Sequence, residues 1–379
     1  MPNILVALVF ILAFGPSGET GFLDTPGVAL GVAVADNLAL VADEEAGLSV
    51  VDVSDPFRLQ EVGFLDTSGL AYDLVAFGHL ALLADHASGV WVVDFSDPRN
   101  PARVSSFRTP AFAYDVALFD NLALVAESFE GLRVIDLTIP TRPREVGFVD
   151  TPGLARGVTA LGHLALVADF DSGLRVIDLA YPSGPREVSF LDTPGFAFAV
   201  TTVGNLALVA DFNHGLRVID LAIPTQPREV GFIDTPGYAV GVTVLGSLAL
   251  VSDGFEGVRV INLSVPARPR EMGFLDAPGF AFDIDTLNHL ALVATGVTGL
   301  RAIDVGASAL TLEEKAFTSP GWQDRSLFVV SLLYWLVSSV TLLYTEVCNT
   351  ESLALSIGAG LRPAPTPTNS GSERYTGLC

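Results

Sequence analysis

A seven-residue sequence recurs three times at a fixed spacing, and this period constrains the fold more than any other feature of the chain. GLRVIDL begins at Gly131, at Gly173 and at Gly215, which are 42 residues apart. Related sequences extend the series to seven copies at the same step, beginning at Gly47, Gly89, Gly257 and Gly299. Self-similarity at such a spacing is typical of repeat architectures, in which each copy forms one supersecondary unit.

The repeat Gly195–Asp234 shows how one copy is organised. Four short apolar runs, AFAVTTV, LALVA, LRVIDL and REVGFID, are separated by turn-forming sequences. The runs are rich in β-branched residues and are too short for ordinary helices, so they predict strands. Gly215, at the end of DFNHG, suits the left-handed position of a bulged hairpin turn. Four strands in a repeat of this length predict one blade of a β-propeller.

Seven copies therefore predict an all-β, seven-bladed propeller over residues 19–318. A single four-stranded blade cannot bury both of its faces, whereas radially stacked blades cover one another, which fits strands that are apolar on both faces. A linear β-solenoid is the alternative, but solenoid coils are usually shorter and the sequence shows no end caps. GFLDTPG at Gly21–Gly27 repeats the end of a copy before the first complete one. We predict that this N-terminal strand completes the last blade, beside LRAIDV, and so closes the ring.

The strand sequences LSVVD, VWVVD, LRVID, VRVIN and LRAID resemble those of the LVIVD-repeat proteins, a family of bacterial and archaeal surface proteins. The turns Val53–Pro56 and Phe95–Pro98 also look like that family's repeat. The resemblance covers about residues 20–318 and departs from the pattern at Asn262 and at Arg108. It implies propellers at the cell surface, and it carries over no set of catalytic residues.

The two ends of the chain differ from the repeats. Residues 1–18 contain the apolar run Ile4–Phe14, which suits the core of a signal peptide; a stray apolar terminus is the alternative. Ser326–Thr345 carries no charge over 20 residues and predicts a transmembrane helix, with a buried helix as the alternative. Flanking arginines do not decide its orientation. Residues 346–379 are rich in Pro, Ser and Thr and predict a disordered tail. We therefore expect a membrane-anchored protein on the cell surface or the periplasmic side.

Composition restricts the class of partner. The chain has 43 acidic and 20 basic residues and a formal net charge of −23. This balance argues against nucleic acid, which needs clustered Lys and Arg, and against docking of the domain onto anionic lipid. Cations and basic proteins remain as partners. Both cysteines, Cys348 and Cys379, lie beyond the repeats, so no thiolate metal site is expected within them. No cofactor motif is present.

Repetition places acidic residues in rows. One row follows the second strand of each copy: Asp43, Asp85, Glu127, Asp169, Asp211 and Asp253. Another begins the DTPG turn: Asp24, Asp66, Asp150, Asp192, Asp234 and Asp276. Because strands alternate in direction within a blade, both turns should lie on one face, which is then acidic. The simpler interpretation is that these carboxylates accept hydrogen bonds within their own turns.

Residues that differ between copies indicate function better, because repetition does not explain them. Near the start of the innermost strand, and hence near the channel mouth, six such residues are candidates for ligand binding: Tyr72, Asp73, Tyr114, Asp115, Arg156 and Asp283. Ordinary channel lining is the alternative. His79, His163 and His289 share one turn position in separate blades, so we predict no metal site.

These observations predict a surface binding or scaffolding module rather than an enzyme. Its expected partner is a cationic ligand or a protein with a basic patch, bound at the acidic face. A hydrolase or lyase with a site in the channel, and a purely structural surface protein, are the alternatives, because fold alone excludes neither.

Overall fold

The computed structural model describes residues 19–305, which form 28 strands in seven four-stranded antiparallel sheets. Each sheet is one blade, so the predicted all-β, seven-bladed propeller is confirmed. The predicted signal peptide (residues 1–18), residues 306–318, the predicted transmembrane helix (326–345) and the tail (346–379) lie outside the described residues. Within residues 19–305, no helix is long and apolar enough to cross a membrane.

The strands follow one another outward in each blade, from the innermost strand at the axis to the outermost. Blade 1 consists of β2 (Gly31–Ala35), β3 (Leu38–Ala42), β4 (Leu48–Asp52) and β5 (Gln60–Leu65). Blade 2 consists of β6 (Asp73–Phe77), β7 (Leu80–Ala84), β8 (Val90–Asp94) and β9 (Ala102–Phe107). Blade 3 consists of β10 (Asp115–Phe119), β11 (Leu122–Ala126), β12 (Leu132–Asp136) and β13 (Arg144–Val149). Blades 4 and 5 consist of β14 (Gly157–Leu161), β15 (Leu164–Ala168), β16 (Leu174–Asp178) and β17 (Arg186–Leu191); and β18 (Ala199–Val203), β19 (Leu206–Ala210), β20 (Leu216–Asp220) and β21 (Arg228–Ile233). Blade 6 consists of β22 (Gly241–Leu245), β23 (Leu248–Ser252), β24 (Val258–Asn262) and β25 (Arg270–Leu275), and blade 7 of β26 (Asp283–Leu287), β27 (Leu290–Ala294), β28 (Leu300–Asp304) and the N-terminal β1 (Glu19–Leu23).

The N-terminal strand closes the ring, as predicted. β1 pairs antiparallel with β28 and supplies the outermost strand of blade 7, with Gly21 opposite Ala302 and Leu23 opposite Leu300. First and last parts of the propeller are thus hydrogen-bonded into a single sheet. Opening the ring requires breaking this sheet, so the closure strand stabilises all seven blades together.

Apolar side chains on both faces of each strand fill the spaces between neighbouring blades. On β3, Leu40 packs in a cluster shared with blade 2, whereas the next residue, Val41, packs in a cluster shared with blade 7. Both side chains are fully buried. Seven such clusters follow one another around the ring. This arrangement explains why the strands are continuously apolar instead of alternating.

The innermost strands of neighbouring blades touch one another around the axis. At Gly157, a Cβ atom would lie 2.7 Å from the carbonyl oxygen of Phe198, so the channel is narrow where blade 5 approaches blade 4. We call the end of the channel that carries the DTPG turns and the turns after the second strands the mouth face. The opposite end, with the proline-containing loops between the third and fourth strands, is the loop face.

Candidate functional site: the channel mouth

The acidic row after the second strands is buried and holds the turns of the mouth face together. Asp169 is representative: its carboxylate accepts hydrogen bonds from Thr151 Oγ1 at 2.6 Å and from the backbone N–H of Gly153 at 2.9 Å. Arg175 Nε lies 3.4 Å from the same carboxylate. Burial raises the pKa of Asp169, and these hydrogen bonds oppose the rise. All six members of the row are fully buried, so they do not face a partner.

Blade 7 lacks these hydrogen bonds between a buried carboxylate and the DTPG turn, which we call the turn lock. There Thr295 replaces the row's aspartate and Ala277 replaces the threonine of the turn, so the donor and the acceptor of the hydrogen bond change together.

Because the row after the second strands is buried, the expectation that both acidic rows form an acidic face is wrong for that row. The row that begins the DTPG turns is exposed, and it supplies six carboxylates to the mouth face.

Three channel carboxylates connect neighbouring blades. The innermost strand is an edge of its sheet, so some of its N–H groups have no partner strand. Asp283 accepts a hydrogen bond from the N–H of Val32 at 2.9 Å, across the seam between blades 7 and 1. Asp115 does the same for Val158 of blade 4, at 2.6 Å. A third carboxylate, Asp285, accepts from Val34 at 2.9 Å.

Asp73 differs from these three, because its carboxyl hydrogen-bonds to the carboxyl of Asp115. Burial, followed by the charges of Asp115 and Asp283, raises the pKa of Asp73 well above its usual range. This hydrogen bond contributes to the rise in the pKa of Asp73 and opposes the rise that burial causes in the pKa of Asp115. Burial also raises the pKa of Asp283, to about 7, and the pKa of Asp285. The four groups form one linked set of carboxyls with few charges at acidic pH.

Aromatic rings surround most of the channel mouth. In three places, the residue at the turn after a second strand stacks on the residue that begins the next blade. His86 lies 3.9 Å from Phe112, Phe170 lies 4.3 Å from Phe196, and Phe212 lies 4.5 Å from Tyr238, measured between ring centroids. Further rings fill the spaces between these stacks: Tyr72, Tyr114, Phe198, Phe255, Phe280 and Phe282. We call this set of twelve rings the aromatic arc.

Arg156 joins two parts of the aromatic arc. Its guanidinium carbon lies 4.3 Å from the ring centroid of Tyr114 and 5.1 Å from that of Phe198, which is cation–π geometry. Both Arg156 and Tyr114 are buried. Burial and the charge of Arg156 lower the pKa of His86 to about 4, so that ring is neutral at physiological pH. Arg156 and Tyr114 are therefore buried beneath the mouth, whereas the exposed rings of Phe196 and Tyr238 form its surface.

The aromatic arc is interrupted at blade 1, where Val28, Leu30 and Glu44 occupy the corresponding positions. Glu44 is half-buried, and burial followed by the charges of Glu45 and Asp43 raises its pKa. The mouth is thus asymmetric, with a carboxyl at blade 1 and aromatic rings elsewhere.

Several aromatic residues occupy a backbone conformation that glycine adopts more easily. Phe170 and Phe212 have φ angles of 49° and 51°, and His86 has 46°. The same turn position holds Gly254 in blade 6 and Gly296 in blade 7. A bulky residue with positive φ is a steric outlier. Glu44 and Ser128, with φ angles of 45° and 43°, occupy this position in blades 1 and 3, so the turn imposes the conformation and every non-glycine residue here carries its cost.

Sequence reasoning located the channel mouth but omitted part of it. Tyr72, Asp73, Tyr114, Asp115, Arg156 and Asp283 all lie at the mouth or in the upper channel. Asp285 and ten rings of the aromatic arc were missed, including the four rings of His86, Phe170, Phe196 and Tyr238. Comparing copies at two further positions, the residue after the turn glycine and the residue after the buried acid, would have found the four rings. Within residues 19–305, no group of three His, Cys, Asp or Glu side chains could hold a metal ion.

Comparison with solved structures shows the fold alone. The chain is similar to the WD40 β-propeller domain of Doa1, at 9% identity over 77% of this chain and 97% of that chain, with a TM-score of 0.62. It is also similar to U3-55K, at 11% identity over 76% and 100% of the two chains and a TM-score of 0.64. A computationally designed protein, Ika8, matches at 8% identity over 76% and 99%, with a TM-score of 0.57.

No curated protein matches the chain. The LVIVD repeat matches six consecutive segments: residues 26–67, 68–109, 112–151, 152–193, 194–235 and 236–277. Each match begins within or just after one turn, includes the four strands that follow and ends at the start of the next turn. The seventh copy is not matched. These segments cover more than half of the chain, which therefore belongs to the LVIVD-repeat family.

Proposed function

We propose that the protein is a binding module that holds a basic partner at the mouth face of its propeller. The observation that carries this proposal is the aromatic arc, whose residues differ between copies and partly occupy strained turn positions. Phe196 and Tyr238 are each 39% exposed at the mouth. Other copies have Val28, Leu70 and Leu154 at the position of these two rings, so the exposed aromatic surface is better explained by contact with another molecule.

A cationic partner fits the chemistry of the mouth face. Ring faces attract ammonium and guanidinium groups, and Arg156 already makes such contacts with two other rings of the aromatic arc, Tyr114 and Phe198. Exposed aspartates surround the rings, and grouped carboxylates attract cations and speed their arrival. A lysine- or arginine-rich segment of a partner would meet the carboxylates first and the rings afterwards.

The experiment compares binding of a lysine-rich peptide to wild-type protein and to Tyr238→Ser, by calorimetric titration. Loss of one exposed cation–π contact should weaken binding by about two- to fivefold. Asp73→Asn combined with Asp115→Asn tests the channel end of the site and should also weaken binding. Affinity should fall steeply as salt rises, because exposed charges are screened over about 8–10 Å at ordinary ionic strength.

Tyr181→Ser is the matched control. Tyr181 is a 75% exposed tyrosine on the loop face, so its loss should leave peptide binding unchanged. If Tyr238→Ser binds the peptide as tightly as wild type, or if Tyr181→Ser weakens binding as much as Tyr238→Ser does, the mouth face is not the binding site. A pull-down from surface extracts with wild type and the Asp73/Asp115 double variant would then identify the natural partner.

We further propose that the protein is exported and anchored by Ser326–Thr345, which places the propeller at the cell surface or in the periplasm. The uncharged 20-residue segment supports this proposal. The proposed role is binding or scaffolding without catalysis.

A further inference from the structure

The gap in the aromatic arc at blade 1 is clearest by comparison with blade 5, where rings fill the equivalent positions. There the turn residue Phe212 packs among three rings, with centroids 6.0, 5.1 and 4.5 Å away: Phe196, Phe198 and Tyr238. In blade 1 and at the start of blade 2, the residues at these four positions are Glu44, Val28, Leu30 and Leu70. Three aliphatic side chains and one carboxyl thus stand where blade 5 has four rings. We call the space that these smaller side chains leave the blade-1 recess.

The backbone fixes the direction of the Glu44 side chain. Its N–H donates to the carbonyl oxygen of Ala71 at 3.2 Å, and the N–H of Ala71 donates back at 3.0 Å. Phe212 forms the same bridge with Ala239, and the two turn residues have φ angles of 45° and 51°. The side chain of Glu44 therefore leaves the backbone as that of Phe212 does, and it is half-buried.

Within residues 19–305, no positive charge balances the carboxyl of Glu44. Burial, followed by the charges of Glu45 and Asp43, raises its pKa, and no basic side chain opposes that rise. Four segments form the mouth at blades 1 and 2, and none contains a lysine or an arginine: residues 24–31, 43–47, 66–73 and 85–89. His86, in the last segment, is neutral at physiological pH. A cation entering the recess would therefore meet only acidic and uncharged groups.

Blade 1 also lacks the arginine that other blades place beside this turn. In blade 4, Arg175 Nε lies 3.4 Å from the buried carboxylate of Asp169. The same positions in blade 1 hold Ser49 and Asp43, and the Ser49 hydroxyl donates to Glu61 at 3.3 Å. The turn of blade 1 thus has three consecutive acidic residues and no arginine beneath them.

Arg103 of blade 2 and Arg301 of blade 7 lie on the outer sides of the neighbouring blades. Arg103 stacks on Trp91 at 4.5 Å and lines a groove with Asp66, and Arg301 stacks on a ring of the fourth strand. Third and fourth strands lie about 10–14 Å from the first strand, which exceeds the screening length of about 8 Å. These arginines therefore offset charges at the rim and leave Glu44 without a counter-ion.

We propose that the blade-1 recess takes one lysine side chain of the partner, with its ammonium group at the carboxylate of Glu44. The aliphatic side chains of Val28, Leu30 and Leu70 suit the apolar stem of a lysine. An arginine gains more from the flat rings elsewhere in the aromatic arc, on which guanidinium groups stack. This inference rests on the proposed function, because it names the residue by which the mouth face holds its basic partner.

Calorimetric titration with two peptides tests the proposal, one lysine-rich and one in which every lysine is replaced by arginine. Wild type should bind the lysine peptide at least about threefold more tightly. Glu44→Gln should weaken binding of the lysine peptide about tenfold and remove the preference. The matched control is Glu45→Gln, which removes the same charge from the adjacent exposed residue and should weaken both peptides equally, by about twofold.

A second variant fills the recess and keeps the carboxyl. Val28→Phe with Leu30→Phe introduces the residues that blade 5 has at these positions, so the fold accepts them. It should weaken binding of the lysine peptide about tenfold and leave binding of the arginine peptide at least as tight as in wild type. Carbodiimide coupling of wild type to the lysine peptide, followed by digestion and mass spectrometry, should place the new amide bond at Glu44.

The outcomes separate the lysine recess from the mouth face as a whole. If wild type binds neither peptide, or if Tyr238→Ser binds like wild type, the proposed function fails and the recess with it. If Tyr238→Ser weakens binding but Glu44→Gln acts no more strongly than Glu45→Gln, the recess is refuted and the mouth face stands. Normal lysine-peptide binding by the filled variant, or coupling at Asp150 or Asp192 instead of Glu44, refutes the recess in the same way.

Discussion

Replacing Asp283 with asparagine should stabilise the propeller, and the gain should depend on pH. The carboxyl of Asp283 lies in the narrow channel and accepts the N–H of Val32 at 2.9 Å. Burial raises its pKa to about 7 from an ordinary value of 3.8. At pH values between 3.8 and about 7, the Asp283 carboxyl keeps its proton in the folded protein and loses it in the unfolded chain. Stability is therefore lost as pH rises from about 4 to 7 and stays at its lower level above pH 7.

The size of the effect follows from the same two values. Their difference of about three pH units corresponds to about 4 kcal/mol, and the partial exposure of the Asp283 side chain makes this an upper limit. Asparagine carries no charge and keeps one oxygen that can accept from Val32, but its amide hydrogens need new partners, which costs about 1 kcal/mol. We expect Asp283→Asn to stabilise the protein by about 1–3 kcal/mol at pH 8.5. Near pH 4.5 it should change stability little or reduce it slightly.

Urea unfolding of wild type and Asp283→Asn at a series of pH values from 4.5 to 8.5 measures this difference. Asp136→Asn is the control of opposite sign. Hydrogen bonds from the Thr138 hydroxyl and N–H groups, and from Arg144, lower the pKa of Asp136 to about 2, so its loss should destabilise the protein equally throughout this range. An effect of Asp283→Asn that is the same at pH 4.5 and pH 8.5 would contradict the assignment of a buried, partly protonated carboxyl to the channel.

Three further predictions concern packing, the turn lock and the anchor. Gly157→Ala should lower the free energy of unfolding by about 2 kcal/mol or more, because its Cβ would lie 2.7 Å from a carbonyl oxygen of blade 5; thermal or urea unfolding measures this. As the control, Gly184→Ala has no neighbour within 4 Å and should change the free energy of unfolding by less than about 0.5 kcal/mol. Asp169→Ala should cost about 3 kcal/mol in the same assay, since a buried hydroxyl, an N–H group and an arginine lose their acceptor; a cost under 1 kcal/mol would contradict the lock. The full chain should remain with membranes after high-salt or carbonate washing, whereas a chain ending at Thr318 should be soluble and folded. Release of the full chain by either wash would show that Ser326–Thr345 does not span the bilayer.

The fold could be predicted from the sequence because its determinants are local and repeated. Each copy shows four apolar runs and fixed turn residues, and seven copies at one step leave little choice of architecture. Ring closure was also predictable, since Gly21–Gly27 retains the residues of a fourth strand and comes before the first complete copy. β1 pairs with β28 as this argument required.

The site could be predicted only in part, because burial is a property of the assembled ring. Asp169 and Asp192 both stand beside turns of one copy, and both are conserved between copies in the sequence. In the structure the first is fully buried and the second is exposed. The difference arises because the turn of one connection folds over the carboxylate of another, 18 residues away in the chain.

The sequence by itself determined the strands, the number of blades, the closure and the positions near the axis where copies differ. Only the tertiary structure decided which of these side chains share a space. It joins Asp73 to Asp115 across two blades, covers Tyr114 with Arg156, and brings Phe170 of one blade onto Phe196 of the next. The physical reason is that strand formation depends on the periodicity of neighbouring residues, whereas contacts at the mouth depend on how closely seven blades approach around one axis.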